Sequence, residues 1–222
     1  LKKKYNSNLA IFYGNTKDIL KYLIQKYSVS KIYSNRIFKH KYLMDLDKNC
    51  ENLFNDLKVK WVQTNQFGID LNHRKRFKWS YNWNEFIQSD EKSYKFNCKF
   101  ININNNFDFN NVKTNKINGK LVQIGGRDEA IKLLDSFIET RSENYQREMS
   151  SPVSGDTACS RLSPHITYGT ISLKEIHRKI IDKIKKGCTI NKRKSLIAFK
   201  SRLAWHCHFI QKLYDEPEIE HK

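Results

Sequence analysis

The chain has 222 residues, 39% of them hydrophobic, with a mean hydropathy of −0.72, yet its 13 Phe, 11 Tyr and 4 Trp supply apolar surface enough to exclude a disordered chain. A formal net charge of +18, from 41 basic and 23 acidic residues, points to a polyanionic partner, DNA or RNA first, with lysines that only solvate the surface as the plainer alternative. No apolar run is long enough to span a membrane and no signal peptide is visible; five cysteines without a C-x-x-C pair suit reduced thiols, hence an intracellular protein of cytoplasm or nucleus.

In chain order, the apolar run Leu9 to Tyr13 followed by Gly14 predicts a buried strand. Thr16 is placed to cap a helix over 17–27, with Ile19, Leu20, Leu23 and Ile24 at the helical period. Residues 31–34 read as a second strand, 41–57 as a helix with Leu43, Leu46, Cys50, Leu53 and Phe54 inward, and 60–63 as a third strand. Strand, helix, strand, helix, strand predicts a partial parallel α/β layer, Rossmann-like, over residues 1–89. Within 64–89, the basic–aromatic cluster His73, Arg74, Lys75, Arg76, Phe77, Lys78, Trp79, Tyr81 and Trp83 could hold phosphates and stack bases. Its alternative is an amphipathic helix packed on the α/β layer. Residues 90–119 are rich in asparagine and lack periodicity, which predicts a linker.

Residues 120–222 read as all helical. Gly125 and Gly126 lead into an amphipathic helix over 127–141, with Ala130, Leu133, Leu134, Phe137 and Ile138 on one face. The run Cys159-Ser160-Arg161-Leu162-Ser163-Pro164 then sets up a short helix, with Ser163 as cap, Pro164 in its first turn and Gly169 at its end. Ser172 and Glu175 form the pattern of a capping box for a helix over 173–186. Two helix starts close together, beside Ser160, Arg161 and Ser163, suit anionic groups, although an ordinary well-capped helix–loop–helix gives the same pattern. The last helix covers about 192–214. On it Phe199, Arg202 and His206 share one face, beside a stripe of Leu196, Leu203, Cys207, Ile210 and Tyr214, and Trp205 flanks Arg202. His206 and His208 are two residues apart on a helix and point different ways, so no metal site is expected.

The stretch ACSRLSPHITYGTISLKEI resembles the signature of the cryptochrome/photolyase family, as does the GG-x-x-x-A helix that leads to Tyr145. So do Gln66-Phe67-Gly68, the spacing of Trp79, Trp83 and Phe86, and FKSRLAWHCHFIQ. The resemblance implies an α/β antenna-type domain, a linker, and the amino-terminal part of a helical FAD-binding domain, incomplete at both ends. It places FAD against Tyr145, Cys159, Ser160, Arg161, Leu162, Ser163, Phe199, Arg202 and His206, with a second antenna chromophore elsewhere. It places Trp205 where the family packs a tryptophan on the DNA lesion. Arg202 and His206 stand where dimer-repairing members carry Glu and Arg, which puts dimer repair in question. The implied function is blue-light chemistry on FAD: repair of pyrimidine dimers in damaged or single-stranded DNA, as a deoxyribodipyrimidine photolyase (a lyase), or photoreception. A basic nucleic-acid-binding protein without photochemistry, or an inactive truncated relative, is the alternative.

Overall fold

The computed structural model describes residues 9–36, 38, 41–71, 78–90, 99–103 and 123–221. They fall into two compact units, one drawn from Leu1–Ser34, Asp45–Gln63 and Asp90–Val122, the other from Asn35–Met44, Thr64–Ser89 and Gln123–Lys222.

The amino-terminal unit begins with α1 (Thr16–Tyr27). Its cap is Asn15, not Thr16: the Asn15 side-chain oxygen accepts the N–H groups of Lys17 at 3.0 Å and Asp18 at 3.3 Å. Strand β1 (Lys31–Asn35), helix α2 (Lys41–Asp56) and strand β2 (Lys60–Thr64) follow. Lys60 donates to the Ser30 carbonyl and Arg36 to the Thr64 carbonyl, so both strands advance in the same direction and the pair is parallel. The sheet has two strands among the described residues, not three. The Leu9 to Tyr13 run is no strand of that sheet, and Leu9 and Tyr13 are 67% and 74% exposed. Ile24, Cys50, Leu53, Phe54 and Val59 form the core, and the Trp61 ring meets Phe54 edge-on at 5.2 Å.

The helical unit comprises α3 (Trp79–Gln88), α4 (Arg127–Glu139), a 3-10 turn (Arg141–Asn144) and α5 (Tyr145–Glu148). It continues with α6 (Gly155–Ala158), α7 (Ser163–Thr167), α8 (Leu173–Lys186), α9 (Ile190–Asp215) and a closing 3-10 turn (Pro217–His221). Apolar stripes read from the sequence do meet: Leu134, Phe137, Ile176, Ile180, Leu196 and Leu203 all enter one core. Helix α3 buries Trp83 and Ile87 in this helical core rather than on the sheet layer, because the chain from Phe67 to Leu71 runs along α9 and carries α3 with it. Residues 72–77, with His73, Arg74, Lys75, Arg76 and Phe77 of the basic–aromatic cluster, and most of the Asn-rich stretch lie outside the described residues.

That run is fixed by alternation. Phe67 and Ile69 are buried and Leu71 packs against the same core, while the residues between them bond to helices. Gln66 donates to the Ile166 carbonyl at 2.7 Å, and the Gly68 N–H meets the Cys207 sulfur at 3.4 Å. Gln211, 2% exposed, accepts the Asp70 N–H at 2.7 Å and donates back to the Asp70 carbonyl at 3.1 Å. Glycine is required at 68 because a Cβ there would lie 2.9 Å from the Phe86 Cβ.

Candidate functional site

The site is built by three stretches of the helical unit. The first is the turn after α4. Ser195 on α9 is 1% exposed, and its hydroxyl accepts the Gln146 N–H at 3.0 Å and donates to the Glu143 carbonyl at 3.5 Å. That bond seats α5 on α9 and puts Tyr145 edge-on to Phe137 at 5.4 Å and to Phe199 at 5.5 Å. Burial pushes the Tyr145 phenol up to about 12, aided by the neighbouring Cys159 and opposed by the Arg202 charge. Tyr145 therefore stays a neutral hydroxyl.

The second stretch is the loop from Cys159 to Ser163. Ser163 is the first residue of α7 and not its cap; Leu162 holds that position, with φ −91° and ψ −6°, and no side chain caps the helix. The preceding Arg161 has φ +61°, the left-handed region that a residue with a Cβ seldom enters. A left-handed residue followed by a right-handed one gathers successive N–H groups into a concavity that suits an anion. The Arg161 guanidinium pairs with Asp156 at 2.7 Å. Gly169, at φ +67°, ends α7 as expected. Half of the capping box forms: Ser172 accepts the Glu175 N–H at 3.0 Å, but the Glu175 carboxylate turns to Arg127, at 2.8 and 3.0 Å.

The third stretch is the face of α9. Phe199, Arg202 and His206 do share it, and all three line a cavity of about 700 Å³ together with Tyr145, Cys159, Ser160, Arg161 and Ser163. That volume is in the range of small-molecule sites. Of the residues singled out from the sequence as flavin contacts, only Leu162 is not among those lining it; its side chain is fully buried in the core. Trp205 does not line it either. It is 40% exposed and sits 6.0 Å from Trp79, 5.4 Å from His208 and 5.8 Å from Phe209, ring centre to ring centre. Sequence reasoning missed Gln123, Met149, Ser150, Pro164, Ile166 and Leu203, which complete the lining. Gln123 could not be found from any local pattern, since it acts on a loop 38 residues away by donating to the Arg161 carbonyl at 2.7 Å.

The lining holds Arg202 and the Asp156-paired Arg161 and no carboxylate of its own, so its polar wall suits an anion. Aromatic Tyr145 and Phe199 lie with it, and burial drives the His206 imidazole below its usual value, toward the neutral form. Among the described residues no group of three or more His, Cys, Asp or Glu could hold a metal ion, and no helix is long and apolar enough to cross a membrane.

Over 89 residues, 40% of this chain and 18% of the relative, the sequence is 32% identical to a deoxyribodipyrimidine photo-lyase of Halobacterium salinarum. The fold matches a bacterial class III photolyase from Agrobacterium tumefaciens with a TM-score of 0.71 over 97% of this chain. In sequence and in fold, the chain resembles the cryptochrome/photolyase family. The photolyase-like chain spans 47% of the class III photolyase, at 18% identity, a level that speaks for the fold: an α/β part and a helical part. No family model matches it.

Proposed function

We propose that this chain is an FAD flavoprotein of the cryptochrome/photolyase type that uses blue light, with damaged or single-stranded DNA as its partner. One observation carries the proposal: the residues chosen from the family signature, 160, 161 and 163 on one stretch and 199, 202 and 206 on another, converge on a single cavity with a cationic lining. The residues fit the cofactor chemically. The concavity around Arg161 and Leu162, with the Ser160 and Ser163 hydroxyls, would hold the diphosphate; Tyr145, Phe199 and the Arg202 side chain would pack on the ring system; His206, held neutral, would offer a hydrogen bond without adding charge. The flavin, when bound, would supply one-electron transfer on absorbing blue light. What the chain itself does is bind, orient and exclude water.

Repair of pyrimidine dimers and photoreception both fit this proposal. Trp205 would stack on an extruded base, supported by its exposure and by its match to the family tryptophan. A second, antenna-type chromophore is proposed on the resemblance alone. An intracellular location, cytoplasm or nucleus, is proposed on the sequence pattern of its cysteines alone.

The test is to purify the 222-residue chain, record its blue-region absorbance and titrate it with FAD. A stoichiometric flavin spectrum supports the proposal. A chain that binds DNA with steep salt dependence but takes up no flavin would be a basic nucleic-acid-binding protein instead, the alternative favoured by the +18 charge.

A further inference from the structure

Arg141 belongs to no part of the cavity lining, yet its guanidinium is heavily engaged. It opens the 3-10 turn after α4, with its guanidinium carbon 5.7 Å from the centre of the Phe137 ring. Nη2 donates to the Leu133 carbonyl at 2.7 Å and to the Ser160 carbonyl at 3.3 Å, Nη1 donates to the Cys159 carbonyl, and Nε donates to the Ser136 hydroxyl at 3.0 Å. Burial drives its pKa down, and among the described residues no carboxylate pairs with it. A partly buried charge with four neutral acceptors and no counter-ion is a costly arrangement, which calls for a role.

The role follows from peptide geometry. In a planar trans peptide the N–H points opposite the C=O. With the Cys159 and Ser160 carbonyls both drawn to Arg141, the N–H groups of Ser160 and Arg161 point away from it. Cys159, Ser160 and Arg161 line the cavity and Arg141 does not. No acceptor takes the Ser160 or Arg161 N–H among the described residues. Two donors are thus held free at the concavity that begins at the left-handed Arg161, while the carbonyls that would repel an anion are turned to a cation.

We infer that Arg141 is the positioning residue of this loop: it orients the Ser160 and Arg161 N–H groups toward a diphosphate without touching it. This rests on the flavin proposal for the identity of the diphosphate's owner, not for the loop chemistry. A purely structural role, tying off the end of α4 through Leu133 and Ser136, makes a different prediction.

The experiment titrates the full chain, wild type, Arg141→Met and Arg141→Lys, with FAD, with riboflavin, which has the ring system but no phosphate, and with inorganic pyrophosphate. Arg141→Met should weaken FAD and pyrophosphate roughly tenfold and leave riboflavin unchanged, the size expected of a residue acting through another. Arg141→Lys keeps a cation at the helix end but cannot reach both loop carbonyls and Leu133 together, so it should fold like wild type and fall between the two; it carries the comparison should the Met variant unfold. Equal losses for FAD and riboflavin, or no loss for either substituted chain, overturn the inference while the flavin proposal stands. A wild type that binds pyrophosphate but not FAD, with the loss confined to the variants, keeps the inference and removes the flavin proposal. A wild type that binds none of the three overturns both.

Discussion

The two units are held together differently. Among the described residues of the amino-terminal unit the buried ones are Ile24, Cys50, Leu53, Phe54 and Val59, all apolar, and a polar contact such as Trp61 to Ser34 at 3.0 Å is only partly buried. The helical unit buries Ser142, His165, Ser195 and Gln211 among its apolar side chains, and Gln211 and Ser195 bond to backbone far away in sequence. Apolar packing is tolerant of exchange, whereas buried polar groups demand particular partners and so fix particular positions. The unit with the polar pins is also the one that holds the cavity.

The largest expected effect tests the helical core behind that cavity. Phe137 is fully buried and edge-on to Phe199 at 4.6 Å, so Phe137→Ala should cost about 3–5 kcal/mol and loosen Tyr145 and Phe199 together. Chemical denaturation measures the first, and riboflavin titration the second. If the variant unfolds as wild type does, the helical unit is no more exacting than its neighbour. Next comes Gly68→Ala, where the new Cβ would meet the α3 backbone-proximal atom of Phe86 at 2.9 Å. A loss of roughly 1–3 kcal/mol is expected, and a denaturation midpoint equal to that of wild type would show that α3 can move aside.

Trp205→Ala should weaken binding to single-stranded DNA by about 1–3 kcal/mol while flavin titration stays unchanged, since Trp205 lies outside the cavity lining. A parallel loss of folding stability would instead make it a packing residue. Arg161→Glu should abolish FAD binding with little change in denaturation, because its pair with Asp156 is partly exposed and such pairs contribute about 0–1 kcal/mol. Unchanged FAD affinity would remove Arg161 from the site.

The smallest effect is on pH dependence, and it separates the units again. Burial raises the thiol of Cys207 to about 12, and raises Cys159 and Tyr145, all in the helical unit; Cys50 is the amino-terminal unit's counterpart. These acids keep their protons longer when folded, so between the ordinary thiol value near 9 and about 12 the unfolded chain binds fewer protons and stability falls as pH rises. His177 and His206 are held below 6.5 by burial, so as pH falls through 6.5 the unfolded chain takes up protons first and stability falls there too. Cys207→Ala should flatten the alkaline limb, and His206→Asn the acid limb, of a plot of denaturation midpoint against pH. An unaltered alkaline limb in the first would place that titration elsewhere.

Much of the helical unit was legible because its stripes of Leu, Ile and Phe follow the helical period over long stretches, and the α9 face of Phe199, Arg202 and His206 follows from the same geometry. The strand expected at Leu9 to Tyr13 was not to be had from its composition: an apolar run makes a strand only beside another strand, and nothing in the five residues says whether one is there. The shift of the α7 start by one residue reflects a left-handed Arg161, a conformation its residue type does not advertise. Gln123, Arg141 and Asp156 escaped notice because each acts on a loop distant in sequence or by an unpatterned pairing, and periodicity carries no such information.

The two hydrogen bonds between the Gln211 carboxamide and the Asp70 backbone bear on hydrogen exchange. The carboxamide imitates a neighbouring strand, so the Asp70 amide hydrogen is sheltered although it lies in no helix or sheet. Its exchange with deuterium would therefore be slow and would quicken when the Phe67–Leu71 run and α9 part at Gln211, making one backbone proton a local clock for that opening.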